Sequence, residues 1–152
     1  MKDRAVLKKI ADKLKKNGKK IVTINGTFDI LHPGHEYILK EAKKQGDVLI
    51  VGINSDTSVK SNKGQERPLN NQLNRAKLMA NYPFVDYVTI FTEKSPLKLL
   101  ELIKPDIHVN GSEYGEDCIE AETVKKQGGK IYIIQLLKGY STTGIIKREI
   151  IK

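Results

Sequence analysis

The stretch Ile21-Val22-Thr23-Ile24-Asn25-Gly26-Thr27-Phe28-Asp29-Ile30-Leu31-His32-Pro33-Gly34-His35 decides the fold. Its first four residues form a short apolar, β-branched run, which predicts a strand. From His35 to Gln45 the pattern is helical, with Ile38, Leu39 and Ala42 on one face. Pro33 suits the first helical position, where its missing N–H costs nothing. The free N–H groups and dipole of such a helix start favour an anion. Gly34, without a side chain, lets a ligand approach the backbone closely. His32 and His35 are three residues apart and can face the same anion. An imidazole donates one hydrogen bond when neutral and carries charge when protonated. Two other readings exist for the pair. It could bind a metal, but no Cys or third His lies nearby. It could be a pair of core or capping histidines, although their position around Pro-Gly at a strand-to-helix turn favours phosphate. Neither G-x-x-x-x-G-K-[ST] nor G-x-G-x-x-G follows the strand, so a P-loop kinase or dinucleotide-binding domain lacks its signature.

Beyond this stretch, strands and helices alternate. Val48-Leu49-Ile50-Val51 predicts the next strand. The run from Asn54 to Asn70 is polar and lysine-bearing and reads as a loop. Gln72 to Asn81 reads as a helix and Val85 to Phe91 as a strand. Pro96 opens a helix that Pro105 closes. Ile107 to Val109 is a short strand, Asp117 to Gln127 a helix ended by Gly128-Gly129, and Ile131 to Ile134 a strand. A last helix begins near Thr142. The alternation implies a single α/β, Rossmann-like domain, with a parallel five-stranded sheet and helices on both faces. Such sheets bind ligands beyond the carboxyl ends of their strands. The loops after Ile24, Val51, Val109 and Ile134 should therefore border the site.

The 152 residues, 39% hydrophobic, suffice for one domain with a real core. No stretch approaches the ~20 apolar residues of a membrane span. Met1-Lys2-Asp3-Arg4 has no apolar signal region, and the lone Cys118 excludes an internal disulfide framework. Together these lead to an expectation of a cytoplasmic protein without membrane contact. Residues 1–20 hold nine Lys/Arg against two Asp/Glu, which is +7 of the chain's +9. Val6, Leu7, Ile10, Ala11 and Leu14 recur there at helical spacing, so 1–20 reads as a basic amphipathic helix packed on a domain of residues 21–152. An RNA contact is the other reading. It is disfavoured because no aromatic residue is interleaved for base stacking, and no nucleic-acid partner is expected. The apolar face would also suit a homodimer contact.

The run Gly26-Thr27-Phe28-Asp29-x-Leu31-His32-x-Gly34-His35 resembles the HxGH nucleotidyltransferases, relatives of cytidylyltransferases and adenylyltransferases. The resemblance extends from about Ile21 to Ile150. Further segments tighten it: Val51 to Asp56, Lys60 through Arg67-Pro68, Asn110 to Tyr114, and Lys138 to Thr143. Together they look most like the adenylyltransferases of ADP-heptose synthesis, whose activity is often fused to a sugar kinase. Here that activity would stand alone, since no kinase-sized region is present. The resemblance implies transfer of AMP from ATP to a sugar 1-phosphate such as D-glycero-D-manno-heptose 1-phosphate, with release of pyrophosphate and with Mg²⁺ accompanying the ATP.

The resemblance also assigns residues. His32, His35 and Lys63 would be catalytic. Gly26, Thr27, Phe28 and Gly34 would belong to the nucleotide site. One lysine of the Lys60–Lys63 segment would reach phosphate, with Lys63 preferred. Arg75 matches a phosphate-contacting arginine and reads equally as a surface arginine. Asn110, Gly111 and Glu113 would lie near base and ribose. The related sequences tend to have glycine and aspartate at Ser112 and Glu113. Tyr140, Ser141, Thr142 and Thr143 would meet the triphosphate, although Ser or Thr before a helix is also a cap worth about 1 kcal/mol. Asp29 would face the sugar hydroxyls, or else stabilise a turn. Two alternatives are a glycerol-3-phosphate cytidylyltransferase-like enzyme using CTP and a non-catalytic nucleotide-binding module. Leu136 stands where the glycerol-phosphate enzymes have an arginine, which argues against the first.

Overall fold

A computed structural model describes residues 4–26, 28, 33–63, 71–93, 95–111 and 120–134, with the side chains of 33, 34, 61–63 and 111 left aside. The elements in chain order are α1 (Arg4–Lys16), β1 (Ile21–Gly26), α2 (Pro33–Lys43), β2 (Val48–Asn54), α3 (Asp56–Lys63), α4 (Gln72–Ala80), β3 (Tyr87–Phe91), α5 (Leu97–Ile103), β4 (Ile107–Gly111), α6 (Ala121–Lys126) and β5 (Lys130–Ile134). All strands pair in parallel in the order β3-β2-β1-β4-β5. The expected five-stranded α/β sheet is thus present. The order changes direction between β1 and β4, where open parallel sheets form a crevice.

Both faces are covered, which is why β1 and β2 read as nearly unbroken apolar runs. One face carries Val22, Ile24, Val51, Ile53, Val88 and Val109 against Leu39 and Ala42 of α2 and Ala76 and Met79 of α4. The other carries Ile21, Ile50 and Phe91 against Leu7 and Ala11 of α1 and Leu99 and Ile103 of α5. The basic helix α1 therefore docks by its apolar stripe. Its Arg4 guanidinium pairs with Glu93, just after β3, through both carboxylate oxygens.

The amino edge of the sheet is closed by three carboxylates. Asp47, Asp86 and Asp106 accept the backbone N–H groups of Lys20, Leu49 and Ile21, each at 2.8 Å.

Several boundaries move. The helix expected from His35 begins at Pro33, as a proline at the first helical position requires. The third strand begins at Tyr87 rather than Val85. Pro96 caps α5 instead of lying inside it, and Lys104 ends the helix in the left-handed conformation at φ 55°. The start of the helix expected at Asp117 and the one expected near Thr142 lie outside the described residues. One reading is overturned. Residues 56–63, within the expected loop from Asn54 to Asn70, form helix α3. Val59 is the only apolar residue of that helix, so periodicity gave no signal.

Candidate active site

The site is built on the turn between β1 and α2. Gly26 closes β1 beside Ile53 of β2. Phe28 follows with φ 50°, in the left-handed region that a bulky side chain rarely occupies. Its ring folds back over Gly26, where a Cβ would lie 2.8 Å from the ring carbon Cε2. Glycine is therefore required at 26 by close approach. The same buried ring meets His35 edge-on, with centroids 5.6 Å apart and planes at 71°. His35 is the third residue of α2 and half-buried. Gly26, Phe28 and His35 thus form one packed unit. Gly34 adds its backbone to the same helix start.

Around this unit the parallel sheet sets further groups at its carboxyl edge. Asn110 is buried near the end of β4, and Gly111 ends that strand beside Ile134. Lys60 is exposed on α3, whose last residue is Lys63. These lysines stand on a helix, not on the expected loop, so the spacing of their backbone positions is set by helical geometry.

Arg75 departs from the reading as a surface arginine. It is 0% exposed, and its Nη2 donates to Asp56 Oδ1 at 2.8 Å. Its burial follows from that counter-charge, since a charge leaves water only when paired. Thr27, Asp29, His32, Glu113, Tyr140, Ser141, Thr142 and Thr143 lie outside the described residues, as does Cys118.

A buried polar group beneath the site was not anticipated. Thr23 Oγ1 and His108 Nδ1 lie 2.7 Å apart on neighbouring strands. His108 Nε2 and Glu120 Oε2 are both buried without a hydrogen-bond partner. Burial lowers the His108 pKa well below its usual 6.5, against the opposing pull of Glu120. His108 is neutral in the folded protein at neutral pH. The signal available in the sequence was a histidine between Ile107 and Val109 in an otherwise apolar strand.

Residues 23–148 match a family model described as cytidylyltransferase-like. The bifunctional protein HldE of a Nitratiruptor species is 46% identical over 149 residues, covering 97% of this chain and 31% of that protein. HldE of Campylobacter concisus is 48% identical over 134 residues, covering 88% and 28%. The chain spans less than a third of the length of these curated relatives. A crystal structure of the lipopolysaccharide core biosynthesis protein from Thermoplasma volcanium superposes with a TM-score of 0.64 at 35% identity, covering 80% of this chain and 98% of that one. Pantoate-beta-alanine ligase from Francisella tularensis shares the fold, at a TM-score of 0.64 and 19% identity, covering 91% of this chain and 67% of that one.

Proposed function

This chain belongs to the cytidylyltransferase-like family of nucleotidyltransferases, and on that premise we propose that it transfers AMP from ATP to a sugar 1-phosphate, D-glycero-D-manno-heptose 1-phosphate foremost. The observation that carries the reading is the Gly26–Phe28–His35 unit at the start of α2, beside the crevice of a parallel sheet. A carbohydrate acceptor is supported by the HldE relatives and by the structural neighbour described as a lipopolysaccharide core biosynthesis protein.

A phosphate oxygen of the acceptor attacks the α-phosphorus of the nucleotide in line. The new P–O bond forms as the bond to pyrophosphate breaks. The acceptor is already an anion, so the protein need not supply a strong base. Its task is to hold the two phosphates in line and to stabilise charge as it shifts toward the leaving group. His35 stabilises that charge from the start of α2, whose free N–H groups add to the same field, and His32 is assigned the same role by its place in the motif. Lys60 and Lys63 both belong to α3, and Lys63 is the one assigned to the reacting phosphates. Asn110 and Gly111 take the base and ribose, and Ser141 to Thr143 complete the phosphate cradle. The described residues include no cluster of three His, Cys, Asp or Glu able to hold a metal. Mg²⁺ is expected to accompany the triphosphate, where it would supply neutralisation of phosphate charge.

The test is a pyrophosphate-release screen of four nucleoside triphosphates against sugar and polyol phosphates. Release with ATP and a heptose 1-phosphate is expected. Release only with CTP and glycerol 3-phosphate would overturn the substrate assignment. Nucleotide binding with no release from any pair would overturn transfer itself.

A further inference from the structure

Helix α3 is held in place chiefly by polar contacts. Among its described side chains only Val59 is apolar and buried. Three bonds tie its first turn to α4 and to Glu93. The Asp56 N–H donates to Gln72 Oε1 at 2.9 Å, and Gln72 is the first residue of α4. The Ser58 hydroxyl donates to the Glu93 carbonyl at 2.9 Å. Arg75, also on α4, donates to the Asp56 carboxylate at 2.8 Å. Arg75 is the largest fully buried side chain among the described residues, while the Asp56 side chain remains 34% exposed. The buried guanidinium is the fixed member of the pair, and the start of α3 is the element it holds.

We propose that Arg75 is a positioning residue: it acts through Asp56 to set helix α3, and with it Lys60 and Lys63, against the phosphates of the nucleotide. This rests on the nucleotidyl-transfer reading. A phosphate ligand must present its charge at the site surface, whereas this guanidinium is enclosed and its Nη2 donates to a carboxylate on the neighbouring helix. The charge that varies with ligand is then carried by the lysines, and Arg75 fixes the height and direction from which they reach. Misplacement of a charged group by ~1 Å costs up to ~10²-fold in rate.

The substitution Asp56→Asn keeps the side-chain shape and removes the charge. Gln72→Met removes the second hold on Asp56 and leaves the ion pair intact. Both are measured in the full chain by amide hydrogen exchange and by steady-state kinetics with the nucleotide and acceptor found in the screen. Expected are faster exchange across residues 59–63 with β1 and α2 unchanged, a fall in kcat of ~10-fold or more for Asp56→Asn, a smaller fall for Gln72→Met, and an unchanged KM for the acceptor. Asp56→Glu, which restores the charge, should recover part of the loss. Unchanged exchange in 59–63 for both variants would overturn the proposal. So would faster exchange with unaltered kinetics, or an Asp56→Asn enzyme that binds nucleotide more tightly, as a released phosphate-binding arginine would. The exchange arm reads the clamp even in a protein without turnover, so failure of the clamp and failure of the transferase reading give different results.

Discussion

At the scale of single residues, the site depends on a contact between three side-chain positions, one of which has no side chain. Gly26 leaves room for the Phe28 ring, and that ring braces His35. Gly26→Ala places a methyl group 2.8 Å from the ring, so the ring must move. We expect a stability loss of ~1–3 kcal/mol from overpacking, seen in a urea melt. We also expect turnover to fall by a larger factor than nucleotide affinity, because the histidine loses its brace. A variant with native turnover would remove the brace from the mechanism. The place of His35 at the start of α2 was legible in the sequence, since Pro33 marks the first turn of that helix. Its brace was not legible, because the left-handed Phe28 and the path of its ring are set by packing across the turn.

At the scale of elements, apolar periodicity explains what was readable. The strands and α2 show it, and they stand within a few residues of expectation. Helix α1 shows it too, and its apolar stripe is buried. Leu7→Ala should therefore cost ~2–5 kcal/mol in denaturant unfolding. Lys8→Gln, one residue along on the exposed face, should stay within ~0.5 kcal/mol. Equal effects would mean that α1 is not docked as described. Helix α3 was unreadable because its placement comes from Arg75, Gln72 and the Glu93 carbonyl, partners 16 or more residues away in the chain. The same long-range pairing hid the burial of Arg75.

At the scale of the whole molecule, two buried or paired groups shape acid stability in separate ranges. His108 resists protonation in the fold because burial disfavours its charged form. The unfolded chain takes up that proton below pH 6.5, so stability falls as the pH drops from there. Glu93 has the opposite charge and acts lower. Its hydrogen bond from Arg4 holds its pKa at about 2 against a usual 4.5. That stabilisation is complete above pH 4.5 and is lost as the pH falls toward 2. Unfolding followed across this range should show two stages of loss, the upper flattened by His108→Gln and the lower by Glu93→Gln. Parallel curves for His108→Gln and the native protein between pH 6.5 and 4.5 would contradict the first assignment.

The alternation of strands and helices made the parallel sheet readable at this scale. The substrate was not, since histidines, lysines and a helix start offer a phosphate the same charge whatever it is attached to. Stabilisation of a nucleotide's phosphates by the start of α2 during transfer is probed without intermediaries by pyrophosphate release from His35→Ala at saturating substrates. A fall in kcat of ~10²–10³-fold is expected, with the melting transition preserved. Turnover within about twofold of the native protein in a folded variant would show that the helix start has no such role.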